Sequence, residues 1–312
     1  MKVFNLRRAM RAALLLLLMT AGVTKVFADE TFTVGYYKYY ILSEADRTVS
    51  IGYDVYNNTF PNNFMAELPR TVTYQNVTYT VTQISGAGFW YCPQLLAISI
   101  PNTVTKIREY AFKGCENLQT VVIPNSVEDI EKCVFEDCPA LQSAYWPENP
   151  DCWKIYNGTF RGCTGLLRYT FPENVTSIDM EAFKNCTSLE EITLSKTMNG
   201  IATHAFENCS SLRSVYSYRI DPPTISAETF KNAFAASAKI YVPAAGLSYY
   251  QTEYWEEYHN FAWAFVSDDI TPDMIKVIPA DMFLTYTYFE DDARVEGARE
   301  GIAGDLVIPN TV

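Results

Sequence analysis

Eight cysteines, two histidines and 36 carboxylates are the residues of this 312-residue chain with the chemistry for catalysis or metal binding. Six of the cysteines (Cys92, Cys115, Cys138, Cys163, Cys186 and Cys209) each follow a phenylalanine by three residues, at steps of 23, 23, 25, 23 and 23. A zinc site needs ligand pairs two to four residues apart. That spacing never supplies one, and the short pair Cys133 and Cys138 has no histidine nearby. Nucleophilic catalysis needs a histidine beside a serine or cysteine, and nothing around His204 or His259 supplies that arrangement. His204 falls at a position where other repeats carry Tyr110, Cys133, Gly158 and Glu181, which predicts a surface residue. Asp268-Asp269 and Glu290-Asp291-Asp292 lack the alternating carboxylates and glycine turn of a calcium loop, so they read as solvated loops. The expectation is no enzyme, no metal and no cofactor.

The cysteine spacing belongs to a larger rule. Leu118 to Cys138 reads LQTVVIPNSVEDIEKCVFEDC, preceded by Leu95 to Cys115 as LLAISIPNTVTKIREYAFKGC, with later units from Leu141, Leu166, Leu189 and Leu212. A fixed period of this length is the mark of a solenoid. Leu118, Val121 and Ile123 alternate so that all three point inward along a strand. Pro124, which has no N–H to give a ladder, stops it. Val127 and Ile130 predict a second short buried segment, and Val134-Phe135 a compact turn of helix or 3-10. The cysteines then stack at one position. Equivalent side chains on stacked strands point the same way, which strains a bridge, so six buried reduced thiols are expected. Cys133 and Cys152 lie off that column, and a bridge between them stays open. The unit at Leu141 has two extra residues, with Trp146 in an aliphatic place and Pro147 and Pro150 following, so a bulged loop is expected there.

The outward strand positions form two columns. One runs Ala97, Thr120, Ser143, Arg168, Glu191, Ser214; the other runs Ser99, Val122, Tyr145, Thr170, Thr193, Tyr216. Regular arrays present extended surfaces of this kind to partners. Tyr145, Arg168, Glu191, Tyr216, Thr120, Thr170 and Thr193 are the expected contact residues.

The fold class expected is α/β: a solenoid of stacked parallel strands with short helical or 3-10 turns, a β-rich N-terminal cap and a mixed C-terminal cap. Residues 1–28 read as a secretory signal, with Lys2, Arg7, Arg8 and Arg11 before the apolar run Ala12 to Met19 and cleavage after Ala28. Residues 29–84 read as the N-terminal cap, with a hairpin around Gln75-Asn76, because a solenoid end exposes a sheet edge. The array is 85–216. Residues 217–266 leave the pattern and read as a C-terminal cap, in which Tyr250, Tyr254 and Tyr258 share one helical face. Residues 267–312 read as a linker and the start of a second, truncated array, because Ile308 to Val312 repeats Ile100 to Val104 with threonine in the same place. Six Asn-x-Ser/Thr sites follow in part from the repeat and imply no glycan outside a eukaryote. Outside the first 28 residues the balance is 19 basic to 36 acidic residues, which disfavours nucleic acid and anionic lipid as partners.

The unit Leu-x-x-Ile-x-Ile-Pro-Asn-Thr/Ser-Val-x-x-Ile-x-x-x-Ala-Phe-x-x-Cys resembles the BspA-like, or Treponema-type, leucine-rich repeats of bacterial surface proteins. The match is strong over roughly 85–216, while Trp146-Pro147 and Ser217-Tyr218 depart from it. The resemblance implies an exported protein of a host-associated bacterium, at the cell surface or extracellular, acting in attachment and protein binding without enzyme chemistry. A glycan-binding module using the aromatics of 249–263 with Trp146 and Trp153 is the alternative, and a structural spacer is a third reading.

Overall fold

The computed structural model describes residues 31–53, 60–250, 253–256, 264–266, 284–289 and 292–298. Each 23-residue unit contributes one longer and one shorter strand, and equivalent strands pair in parallel from unit to unit. The longer strands Phe64–Glu67, Leu95–Ser99, Thr120–Val122 and Ser143–Tyr145 make one sheet. Arg168–Thr170, Glu191–Leu194, Leu212–Ser217, Phe234–Pro243 and Ala264–Val266 make another. Among the shorter strands, Val77–Ile84, Lys106–Ile107 and Asp129–Ile130 continue an antiparallel set of Thr31–Val34, Tyr37–Ser43 and Thr48–Tyr53. Lys154–Ile155, Ser177–Ile178 and Gly200–Ile201 form a separate ladder.

The expected inward positions are the core. Leu118, Val121, Ile123, Val127, Ile130, Phe135 and Cys138 are all buried, and their counterparts in the other units join them in one continuous cluster. Seven phenylalanines, from Phe89 to Phe230, stack along the axis with neighbouring centroids 5.1 to 5.7 Å apart.

The turns that deliver these rings are not helical, which corrects the sequence expectation. Two residues before the ring the backbone is left-handed at Ala87, Tyr110, Cys133, Gly158, Glu181 and His204, and two residues after it is left-handed again. A right-handed helix cannot run through such residues. Their amides instead point along the axis: Gly114 N–H reaches Glu136 O at 2.8 Å, and Asp137 N–H reaches Arg161 O at 2.7 Å. The turns thus form a third ladder beside the two strand ladders.

The unit at Leu141 is also unlike its expected form. Its extra residues make a 3-10 turn at Pro150–Cys152 rather than a bulged loop, and Trp146 is buried, with its indole N–H donating to Cys152 O at 3.0 Å. The Asn174 side-chain amide pins the insertion through the carbonyls of Pro147, Asn149 and Cys152. Both strand ladders are interrupted beside this unit: the shorter one before Lys154–Ile155, the longer one after Ser143–Tyr145. The turn ladder and the phenylalanine stack run through unbroken.

Past Leu212–Ser217 the structure makes one more turn of the solenoid that the sequence pattern hides. Thr224 bridges Gly200, Phe230 stacks on Phe206 at 5.2 Å, and Phe234–Pro243 pairs in parallel with Leu212–Ser217. Two four-residue helices follow, Leu247–Tyr250 and Glu253–Glu256. They do not share one tyrosine face: Tyr250 is buried against Trp255, whose indole N–H donates to Pro223 O at 2.8 Å, while Tyr254 is exposed. Tyr258, His259, residues 1–28, which read as an export signal, and the final Ile308 to Val312 lie outside the described residues.

Candidate binding face and its supports

The strand face is built by register. Glu191 lies between Arg168 and Ser214, and Thr193 between Thr170 and Tyr216, in one parallel ladder. Phe234–Pro243 extends both columns, placing Lys239 beside Ser214 and Tyr241 beside Tyr216. The Tyr216 and Tyr241 rings stack at 4.5 Å and 14°, and both are half-buried. The alternation Lys239-Ile240-Tyr241 is the local signal for this strand, but nothing in it gives the strand's place on this face. At the other end Met65 and Glu67 sit beside Ala97 and Ser99.

Exposure narrows the expected contact set. Arg168 and Thr170 are exposed, and Tyr145, Glu191 and Tyr216 are half-buried. Thr120 and Thr193 are only 4% exposed, and so drop out of the accessible set. Neighbouring strands lie about 4.8 Å apart, so flanking side chains shelter a short one. The interrupted ladder also divides the set: Arg168, Thr170, Glu191 and Tyr216 share one sheet, and Tyr145 ends the other. Burial raises the phenol pKa values of Tyr145 and Tyr216, the latter helped by the Glu191 carboxylate, so both are neutral hydrogen-bonding groups.

A second set of columns, which sequence reading missed, runs along the turns. Glu136 is held by Lys113 at 2.9 Å and by Arg161, which also meets Glu181 at 2.5 Å. Lys184 joins Glu181 at 3.1 Å to Glu207 at 2.8 Å, and His204 joins Glu207 at 3.2 Å to Glu228 at 2.9 Å. Lys231 closes the series on Glu228 at 3.1 Å. The charged residues Lys113, Glu136, Arg161, Lys184, Glu207 and Lys231, each one residue after a stacked phenylalanine, were its signature. His204 is a member of this series and not a free surface residue.

The cysteines have a structural role of their own. All eight are free and buried. In five successive units the thiol donates to the carbonyl of the phenylalanine one unit back, as Cys115 to Phe89, Cys138 to Phe112 and Cys163 to Phe135, each at 3.1 Å. Cys133 and Cys152 bond separately, to Asn157 O and Val127 O. Cys152 stands three residues before Ile155, as Val127 does before Ile130, and so fills the valine column. Burial pushes the Cys92, Cys152 and Cys163 thiols up to about 12 and Cys133 up to about 11. Little reactive thiolate remains at neutral pH. Dithiobis-nitrobenzoate should therefore label none of the eight in the native protein and all eight in unreduced, denatured protein. Fewer than eight after denaturation would mean a bridge.

No helix among the described residues is long and apolar enough to cross a membrane. Residues 82–213 match the model of the BspA type leucine rich repeat region, in six copies. Among solved structures the chain is similar to a leucine-rich repeat protein from Eubacterium ventriosum, with 20% identity and a TM-score of 0.50, over 65% of this chain and 49% of that one. It is also similar to the leucine rich repeat protein of T. pallidum, with 19% identity and a TM-score of 0.50, over 76% of this chain and 100% of that one. At such identities the likeness concerns the fold. The chain spans about half the length of the first of these relatives. A comparison with curated proteins finds no match. Residues 82–213 are thus a BspA-type leucine-rich repeat region, and the solenoid built on them is the part of the chain that this likeness describes.

Proposed function

We propose that the chain is an exported adhesion scaffold that binds a protein partner through the face of its longer strands. On this reading residues 1–28 direct export, residues 29–84 and 217–266 cap the array, and the working position is the cell surface or the medium. The observation that carries it is the register of that face: outward side chains from separate units, Arg168, Glu191 and Lys239 in one column and Thr170, Tyr216 and Tyr241 in the next, fixed by shared ladders. A surface held this rigidly loses little conformational entropy on binding. Tyrosine and arginine are the residue types that dominate interface energetics. Of the aromatics in the alternative sugar platform (residues 249–263 with Trp146 and Trp153), Trp146, Tyr250 and Trp255 are buried, whereas Trp153, Tyr249 and Tyr254 are exposed.

Beads coated with the chain should adhere to cultured epithelial cells. The joint substitution Tyr145→Ser, Arg168→Ser and Tyr216→Ser should cut adhesion about tenfold, the effect of losing one strong contact. Because Tyr216 stacks on Tyr241, a second variant with Tyr216→Phe keeps the ring and serves as the stability control. Undiminished adhesion of the folded triple variant would refute the proposal.

A further inference from the structure

The first turn of the array breaks a rule that the later turns keep. Two residues after the stacked phenylalanine, where the backbone is left-handed, later turns have Gly114, Asp137, Gly162, Asn185, Asn208 and Asn232. Those types tolerate positive φ best. The first turn has Tyr91 there, at φ 49°. One residue after the phenylalanine, later turns carry the members of the ion-pair series, beginning with Lys113 and Glu136; the first turn has Trp90. Two aromatic residues thus stand where the fold elsewhere uses a charge and a small turn residue.

The core does not account for them, since Trp90 is 50% and Tyr91 54% exposed. Their centroids are 5.0 Å apart, with the planes at 57°. Tyr91 lies against Gly114, where a Cβ would come within 2.7 Å of the ring. The Tyr91 ring is therefore backed by the next turn, while both rings stay about half exposed. A large side chain held in a left-handed turn, with no packing role that would require it, is a conformation retained for something outside the fold.

We propose that Trp90 and Tyr91 form a binding site for a neutral glycan, with a hexopyranose ring stacked on the indole. The apolar C–H face of a pyranose complements an aromatic face, and its rim of hydroxyls suits a polar surround. The neighbouring groups set the charge preference. Lys113, beside Tyr91, is engaged by Glu136 at 2.9 Å and Asp137 at 3.9 Å, so it is not a free cation for a sialyl or sulfate group. The net charge of -12 repels anions. Two rings suit one or two sugar units, whereas a stable protein interface needs about 800 Å² from each partner. The site lies on the turns and does not depend on the strand-face proposal.

The test is calorimetric titration of the full chain with maltohexaose, cellohexaose, xylohexaose and mannohexaose, and with sialyllactose as the anionic counterpart. At least one neutral oligosaccharide should bind more tightly than sialyllactose. Trp90→Ala should weaken that binding about tenfold or more. Tyr91→Asn should weaken it too while keeping the fold, because it installs the residue that three later turns carry at this position. Trp153→Ala, at another half-exposed tryptophan, should change nothing. The proposal is overturned if none of the four neutral sugars binds, if binding survives Trp90→Ala, or if sialyllactose binds best. Cell adhesion lost in Trp90→Ala with no sugar binding would also overturn it, marking the pair as a protein contact.

Discussion

Phe135→Ala is expected to destabilise the array by about 3–5 kcal/mol, the range for deleting a buried aromatic ring, and to split its unfolding into two steps. Phe135 is fully buried and stacks on Phe112 at 5.4 Å and on Phe160 at 5.7 Å, the widest gap in the series. Repeat proteins are held by nearest-neighbour interfaces, so their cooperativity is set by the weakest one. The weak place here is the unit at Leu141, where the shorter-strand ladder stops on one side and the longer-strand ladder on the other. The bonds that do cross from Phe135's turn to the next are Cys133 N–H to Asn157 O, Phe135 N–H to Thr159 O and Asp137 N–H to Arg161 O. Removing the ring deletes the apolar part of that tie and leaves a cavity beside it. Phe206→Ala deletes the same ring, but between units whose longer strands still pair, Glu191–Leu194 with Leu212–Ser217. That variant should unfold at a lower midpoint in one transition. Urea unfolding followed by far-ultraviolet circular dichroism and by hydrogen exchange of the two halves distinguishes them. Coincident transitions for all probes in Phe135→Ala would remove the weak-junction account.

The weak junction also shows what a sequence can and cannot disclose. The inward positions were legible because alternation along a strand is a local property, and Leu118, Val121 and Ile123 repeat it in unit after unit. The cysteines were legible as filler because one position repeated, although their bond to the phenylalanine carbonyl one unit back was not. The two extra residues after Leu141 were visible, but whether they would bulge or bury depended on Trp146 finding a hydrogen-bond acceptor at Cys152 O. The left-handed residues after each ring had a signal in Gly114, Asp137 and Asn185. Those before it had one only at Gly158, since Ala87, Tyr110, Cys133, Glu181 and His204 are not turn-formers. The turn carrying Phe230 was hidden because Ala233 stands where a cysteine would, and Asp221-Pro222-Pro223 interrupts the strand pattern. On the candidate face, alternation assigns Thr120 and Thr193 outward, yet both are buried, because shelter by neighbours in adjacent units is not a property of any one strand. The ion-pair series escaped for a related reason: its partners are a full unit apart in sequence and adjacent only once the turns stack.

That series makes the second strong prediction. Burial alone would raise the pKa of Glu136, whose side chain is 5% exposed, but the hydrogen bonds from Lys113 and Arg161 outweigh it and hold the carboxyl below its ordinary 4.5. Glu181 is lowered in the same way, against its own burial, by Lys184 and Arg161. A carboxyl whose pKa is depressed on folding stabilises the native state above its unfolded pKa, and that contribution disappears as pH falls through the folded value. Acid should therefore weaken the array below about pH 4.5, the range in which these groups take up protons. Glu136→Gln keeps the shape of the side chain and removes its charge, leaving Lys113 and Arg161 without their shared anion. The expected cost at pH 7 is about 2 kcal/mol, within the range for hydrogen bonds to charged groups and toward its lower part because both cations retain some contact with water. The gap between wild type and Glu136→Gln should narrow as the pH is lowered below 4.5 and through the depressed pKa of Glu136. Glu116→Gln, on an exposed carboxylate outside the series, should show no such convergence. Urea midpoints measured across this pH range decide the matter: a pH-independent difference would mean that Glu136 acts through packing and not through its charge.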